Sequence, residues 1–243
     1  MLPAGGAMKF NAYIDGFNLY KGALQKRPDL KWLDLRILSQ KLWEEHKLNK
    51  VYFFTSRVKE KFPGDLAPQR QHAYLRALEG VGVEVVLGKF RKDIKWQRLV
   101  SHFHIQSIKP ALYDPDSLLQ DSFNKSSVAA LPDEIKALVW KYGEKGTDVN
   151  LSSFLMRDVL AERLTNALVV TGDSDLATPL SICRDFGARI KLVNPKGGRN
   201  SKELAEASDN FAELNLQIVK DSLLKHESYS SNGKKIIKPK LWI

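Results

Sequence analysis

With 243 residues, 43% of them apolar and 27% charged, the chain is long enough for one large domain or two small ones and has an ordinary globular composition. No apolar run approaches the roughly 18 residues that cross a bilayer. The stretch from Met1 to Lys9 lacks the apolar segment of a secretory signal. The single cysteine, Cys183, excludes an intrachain disulfide and disfavours a thiolate zinc site, so a cytoplasmic protein without membrane association is expected. The net charge of +10 fits either a polyanion partner such as nucleic acid or a merely basic, solvated surface.

Phe10-Asn11-Ala12-Tyr13-Ile14 reads as a strand that stops at Asp15-Gly16-Phe17-Asn18, where the glycine permits a tight turn into a helix from Leu19 towards Gln25. Asn18 either caps that helix or holds a carboxylate in place. Leu35, Leu38, Leu42 and Trp43 then recur at helical spacing, followed by the strand Val51-Tyr52-Phe53-Phe54 and a polar, basic loop from Thr55 to Pro68. A helix from Gln69 to Glu79 and a strand from Val83 to Leu87 complete this part. Strands alternating with helices at this spacing predict a parallel sheet with crossover helices, and hence a three-layer α/β/α sandwich.

From Lys89 to Pro132 that rhythm breaks, and the segment reads as an insertion with a hairpin around Gln97 to Ser107. Lys89, Phe90, Arg91, Lys92, Lys95 and Trp96 interleave cations with rings, which suits a single-stranded nucleic acid and a solvated edge strand equally well. His102 and His104 share one strand face, but two imidazoles without a third ligand fall short of a metal site.

Regular structure resumes at Ile135 to Tyr142. Beyond Glu144-Lys145-Gly146, the apolar stripe of Leu151, Phe154, Leu155, Val159 and Leu164 predicts a helix that begins at Thr147 or Asp148. An acid there is favoured by the helix dipole whether or not it has a function. Leu168-Val169-Val170 does not alternate, and Val169 and Val170 are β-branched, so it predicts a buried strand. It ends at Thr171-Gly172-Asp173-Ser174-Asp175, before Leu176, Leu180, Cys183 and Phe186 at helical spacing. A helix cap accounts for one of these two aspartates but not both. The strand Arg189 to Val193 leads into the loop Asn194 to Ser201, whose Gly, Lys and Arg residues lack P-loop spacing. A single domain is expected over residues 8–215, with 216–243 as a basic, solvated tail.

Asp15, Asp148 and the Asp173/Asp175 pair each fall at a strand end or helix start. In a parallel sheet these termini share one edge, the edge where ligands bind. Like charges brought together require protons or a cation, and oxygen-only ligation favours Mg²⁺ or Mn²⁺, ions that act on phosphate esters.

The motifs Tyr13-Ile14-Asp15-Gly16-Phe17-Asn18, Lys145-Gly146-Thr147-Asp148-Val149-Asn150-Leu151, Val170-Thr171-Gly172-Asp173-Ser174-Asp175-Leu176 and Asp209-Asn210-Phe211, in that order, resemble the NYN domain family, a branch of the PIN-like ribonucleases. The resemblance implies the PIN-like fold and an acidic cluster that binds Mg²⁺ or Mn²⁺ for endonucleolytic cleavage of RNA. Carried over by position, it implies catalytic roles for Asp15, Asp148, Asp173 and Asp175, the first three as metal ligands, with Asn18 in support. Asp209 is expected as a further supporting residue or a simple helix-end acid, and Lys145 and Arg199 as phosphate contacts. RNA, single-stranded or structured, is the expected partner, and the oligomeric state is open. Two other readings stand beside this one: an RNA-binding or regulatory module without catalysis, and a phosphotransfer protein of another doubly wound fold.

Overall fold

The computed structural model describes residues 8–98, 136–196 and 202–242. Its strands, in chain order, are β1 (Lys9–Asp15), β2 (Lys47–Thr55), β3 (Glu84–Leu87), β4 (Lys89–Arg98), β5 (Lys136–Lys145), β6 (Asn166–Val170), β7 (Arg189–Asn194), β8 (Asn210–Glu213), β9 (Glu227–Tyr229) and β10 (Lys235–Ile237). The helices are α1 (Gly16–Leu19), α2 (Leu35–Leu42), α3 (Ala67–Gly80), α4 (Thr147–Leu160), α5 (Ala177–Asp185), α6 (Lys202–Glu206) and α7 (Leu216–Lys220). Two compact units result: Met1–Phe90 with Glu144–Ile243, and Arg91–Gly143.

The first unit is built on a six-stranded sheet in the order β3-β2-β1-β6-β7-β8, every neighbouring pair parallel. β6 is buried along its whole length and β1 from Phe10 onwards, which is why these strands read as continuous apolar runs rather than alternating ones. One sheet face carries Phe10, Ala12 and Ile14 against Leu19, Leu35, Leu38 and Leu78 of α1 to α3. The other carries Tyr13, Tyr52 and Phe54 against Leu151, Leu155 and Leu180 of α4 and α5. The α/β fold with a central parallel sheet between helix layers is therefore the one expected. Each large apolar side chain fully buried in these layers contributes roughly 1.5–3 kcal/mol.

The local elements differ from expectation in two places. The first helix starts at Gly16 rather than Leu19, because the Asp15 carboxylate accepts the Asn18 amide and caps it, and it widens into a π-turn over Tyr20–Leu24. Residues 216–242, read as a tail, pack onto the core instead. Val219, Leu224 and Ile236 are buried there, the Trp32 indole donates to the Lys225 carbonyl at 2.8 Å, and Trp242 lies against Trp32 and Tyr74. Charge dominates the composition of this segment, but several of its apolar residues, Val219, Leu224 and Ile236 among them, reach the core.

One carboxylate stands apart from the sheet edge where the other acids gather. Asp158 is fully buried and accepts from Asn11 Nδ2 at 3.1 Å, the Tyr13 hydroxyl at 2.6 Å, and Arg157 Nε and Nη2 at 2.9 and 2.6 Å. The two donors from β1, Asn11 and Tyr13, thereby tie that helix to the central strand, and the Tyr13 phenol is pushed strongly upward by burial and by this neighbouring charge.

In the second unit the described residues form a two-stranded ribbon of β4 and β5, whose ends at Lys89–Phe90 and Glu144–Lys145 belong to the first unit. The expected hairpin around Gln97 to Ser107 and the pair His102 and His104 lie mostly or wholly outside the described residues.

Candidate acidic site at the sheet switch point

The sheet order runs outward from β1 through β2 and β3, then resumes on the other side with β6, β7 and β8. The β1–β6 boundary is thus the topological switch point, and the crevice beyond its carboxyl ends is where open α/β sheets bind ligands. Register places Ile14 opposite Val170, so the next residues, Asp15 and Thr171, emerge side by side. Thr171 Oγ1 donates to Asp15 Oδ2 at 3.0 Å and accepts the Asp173 amide at 3.1 Å, joining the two strand ends.

Asp15 is almost fully buried, and Asn18 contributes two further donors to it: its amide to Oδ1 at 3.0 Å and its Nδ2 to Oδ2 at 2.6 Å. Burial raises the Asp15 carboxyl above its ordinary range; the bonds from Asn18 and Thr171 oppose this, and the Asp173 charge adds to it. At Gly172 a β-carbon would come within 2.9 Å of Asn194 Oδ1 at the end of β7, so a larger residue there requires that side chain to shift.

Asp173 accepts the Asp175 amide at 3.1 Å and caps the short helical turn Ser174–Leu176. The cap therefore falls on Asp173, the strand-end acid, and Asp175 sits exposed within the turn. Asp148 lies in the first turn of α4, which begins after Gly146 in a left-handed conformation (φ 85°) that glycine adopts at little cost. Partial burial and then the charges of Asp15, Asp173 and Asp175 push its carboxyl up to about 6. Asp148 thus feels the charges of the three other acids expected from the sequence.

A fifth acid was not expected. Glu144, at the end of β5, is pushed up to about 7, first by burial and then by Asp15 and Asp148, against hydrogen bonds from Thr147 and Ser56. Its Oε1 is buried and has no hydrogen-bond partner, an uncommon state for a buried acceptor. The signal was present in the sequence, an acid at a strand end ahead of a glycine turn, the pattern that marked Asp15. Thr171 was hidden because it continues an apolar run.

The remaining candidates separate. Lys145 is exposed beside this edge. Asp209 is not here: it precedes β8, accepts the Ile190 amide at 2.8 Å at the start of β7 and pairs with Arg184 at 3.2 Å, so it lies at the amino ends of the strands and ties a helix to the sheet. The reason is the parallel sheet itself, in which residues before a strand lie opposite those after one. Arg199 lies outside the described residues. Among the described residues no three acidic, histidine or cysteine side chains already close around a common point as a ligand sphere. What the carboxylates share is mutual repulsion, which protons or a cation relieve.

Fold and site together define an α/β protein with a carboxylate cluster at its switch point. No family model matches the chain. Over 214 residues it is 28% identical to 6-hydroxy-3-succinoylpyridine 3-monooxygenase HspA of Pseudomonas putida, an alignment covering 79% of this chain and 61% of that protein. The chain thus spans about three-fifths of the length of this curated relative, which is named as an enzyme. A solved structure of a protein of unknown function from Vibrio parahaemolyticus aligns with 92% of this chain and 100% of its own, at 15% identity and a TM-score of 0.48. Among the described residues no helix is long and apolar enough to cross a membrane.

Proposed function

We propose that the chain is a metal-dependent endoribonuclease of the NYN, PIN-like type, hydrolysing RNA phosphodiester bonds at this acidic site with Mg²⁺ or Mn²⁺. The observation that carries the reading is the gathering of carboxylates from three chain segments at the switch point, with a buried Glu144 oxygen that no donor satisfies. An all-oxygen set of this kind fits a hard divalent ion. Asp15, Asp148 and Asp173 would hold it, with Glu144 joining them and Asp175 adding negative charge at the rim. When bound, such an ion activates water and shields the charge that develops on the phosphoryl oxygens. Asn18 and Thr171 spend their donors on Asp15 and so fix the orientation of its carboxylate. Lys145 is accessible to a substrate phosphate.

The relative's name suggests oxygen insertion as a second reading. A dinucleotide cofactor in a sheet of this order places its pyrophosphate at the turn after the first strand, on a Gly-x-Gly-x-x-Gly fingerprint. That turn here is Asp15-Gly16-Phe17-Asn18, and its buried carboxylate repels a pyrophosphate. The phosphodiester reading is therefore preferred.

The deciding experiment incubates the purified chain with Mn²⁺ or Mg²⁺ and labelled single-stranded RNA, structured RNA and DNA. Internal cleavage of RNA is expected, abolished by EDTA and by Asp15→Asn or Asp173→Asn. Wild-type cleavage by either variant overturns the assignment. Salt-dependent RNA binding without products identifies a non-catalytic module, and reductant-dependent oxygen uptake with a hydroxypyridine identifies an oxygenase.

A further inference from the structure

Two apolar side chains stand in solvent just after acids of the site. Phe17 comes two residues after Asp15 and is 52% exposed; Val149 follows Asp148 and is 67% exposed. The backbone around Phe17 is fixed, because Asn18 returns both its amide and its Nδ2 to the Asp15 carboxylate. Leu19, two residues further on, enters the core, while the Phe17 ring stays outside it.

The helix gives this ring a direction. Cα–Cβ bonds tilt towards the amino end of a helix, so side chains on α1 lean back towards Asp15 and the strand ends. Lys21 stands four residues on, where the helix widens, with its Nζ 5.6 Å from the centre of the Phe17 ring. Among the described residues no carboxylate forms a salt bridge with Lys21. A lysine over an exposed ring is a common surface pair, and Lys31 makes one with Tyr20 at 5.2 Å. Phe17 differs in its place, at the rim of a carboxylate cluster.

A phosphodiester brought to that cluster carries a nucleotide on each side of the scissile bond. Carboxylates and a hard ion hold its phosphate but offer nothing to a base. A flat apolar ring beside them does, since bases stack on aromatic side chains, and an unpaired lysine next to the ring suits a phosphate.

We infer that Phe17 is the stacking platform for the base adjoining the scissile phosphate, with Lys21 as the contact of a neighbouring phosphate. The assignment rests on the reading of the site as ribonucleolytic, and deepens it by naming the residue that positions the nucleotide beside the cut. Purines are favoured there, because preferences at such platforms follow stacking strength.

The test maps cleavage of a short synthetic RNA by the full chain in Mn²⁺, then replaces the nucleotides around the cut, one at a time, by an abasic ribose. One replacement beside the cut is expected to lower kcat/KM by roughly 5-fold or more. Phe17→Ala should lower kcat/KM on the intact RNA by a similar factor, chiefly through KM, and should lose nothing further on that abasic RNA, because both changes remove the same contact. Phe17→Leu, which keeps apolar bulk without a ring, should behave like Phe17→Ala, and Phe17→Trp should retain the unaltered rate. In the Asp173→Asn chain, where no cleavage occurs, Lys21→Gln should make the dependence of log K on log salt concentration shallower by about 0.7.

Unchanged kcat/KM in Phe17→Ala overturns the inference, as does an equal further loss on intact and abasic RNA, which marks a structural defect. Either result leaves the nuclease reading standing while metal-dependent cleavage persists. If the unaltered chain yields no products, the same RNAs are compared by fluorescence anisotropy in Mn²⁺. A Phe17-dependent preference for the intact RNA over the abasic one then keeps the subsite while the nuclease reading falls, and its absence discards the subsite as well.

Discussion

Thr171 and Asp15 lie 156 residues apart in sequence, yet the hydroxyl of one donates to the carboxylate of the other at 3.0 Å across the switch point of the sheet. This bond is buried, and the same hydroxyl oxygen accepts the Asp173 amide, so a single side chain aligns the acids of two strands. Thr171→Val keeps the shape and the β-branching but removes both partnerships. A loss of about 1–3 kcal/mol in urea unfolding is expected, the usual result of leaving buried polar groups without partners. Mn²⁺-dependent cleavage should fall further than this stability change alone explains, when measured at a temperature where the variant is fully folded.

The carboxylate shifts set the direction of a pH effect. Asp148 and Glu144 are raised in the folded chain to about 6 and about 7, above the ordinary range of unfolded carboxylates. A raised carboxyl binds its proton more tightly when folded, so its stabilising contribution is complete at low pH and is lost as pH rises through these values. Over pH 5 to 8, as this contribution fades, the melting temperature in EDTA is expected to bend downward, and Glu144→Gln should flatten the upper part of the curve. Mn²⁺ should raise the melting temperature more at pH 8 than at pH 5, because ligation requires the deprotonated groups. A metal-induced shift that is larger at pH 5 contradicts this account.

Asp158 is acidic and buried, yet it belongs to the scaffold rather than the site. Asp158→Ala leaves Tyr13 and Asn11 without their acceptor, while Arg157 keeps its bond to the Tyr52 hydroxyl and remains half in solvent. A cost of about 3 kcal/mol in equilibrium unfolding is expected, at the lower end for removing one member of a buried pair. Mn²⁺ affinity measured calorimetrically on the folded variant should stay within about a factor of three of the unaltered chain, since sites without shared partners are usually additive to within a few tenths of a kcal/mol.

Removal of residues 225–243 tests whether the C-terminal segment is part of the fold. It deletes Ile236 from the core, the acceptor of the Trp32 indole and the ring of Trp242. The truncated chain should melt at a clearly lower temperature, with Trp32 emission shifted to the red as water reaches it. A solvated tail would change neither measurement.

The alternation of strand and helix, the apolar run at Leu168 to Val170 and the aspartates at strand ends were legible in the chain because each is a local pattern with a local cause. Hydrophobic period sets the element, and a polar residue after a buried run sets its end. Asp15, Asp148, Asp173 and Asp175 could be read for the same reason. Asp209 looked the same locally, yet it lies at the amino ends of the strands, where it braces Arg184 and the start of β7. Only the direction of the strands decides which acid faces which edge. Glu144 and Thr171 became visible through pairing across long stretches of chain, and burial gave them their character: one keeps an oxygen without a donor, the other joins two carboxylate segments. The C-terminal residues followed the same rule, since apolar groups scattered among lysines carry no periodic signal until a core stands ready to receive them. Sequence determined which residues end the strands; tertiary structure decided which of them meet, because register, strand direction and desolvation are properties of the assembled sheet.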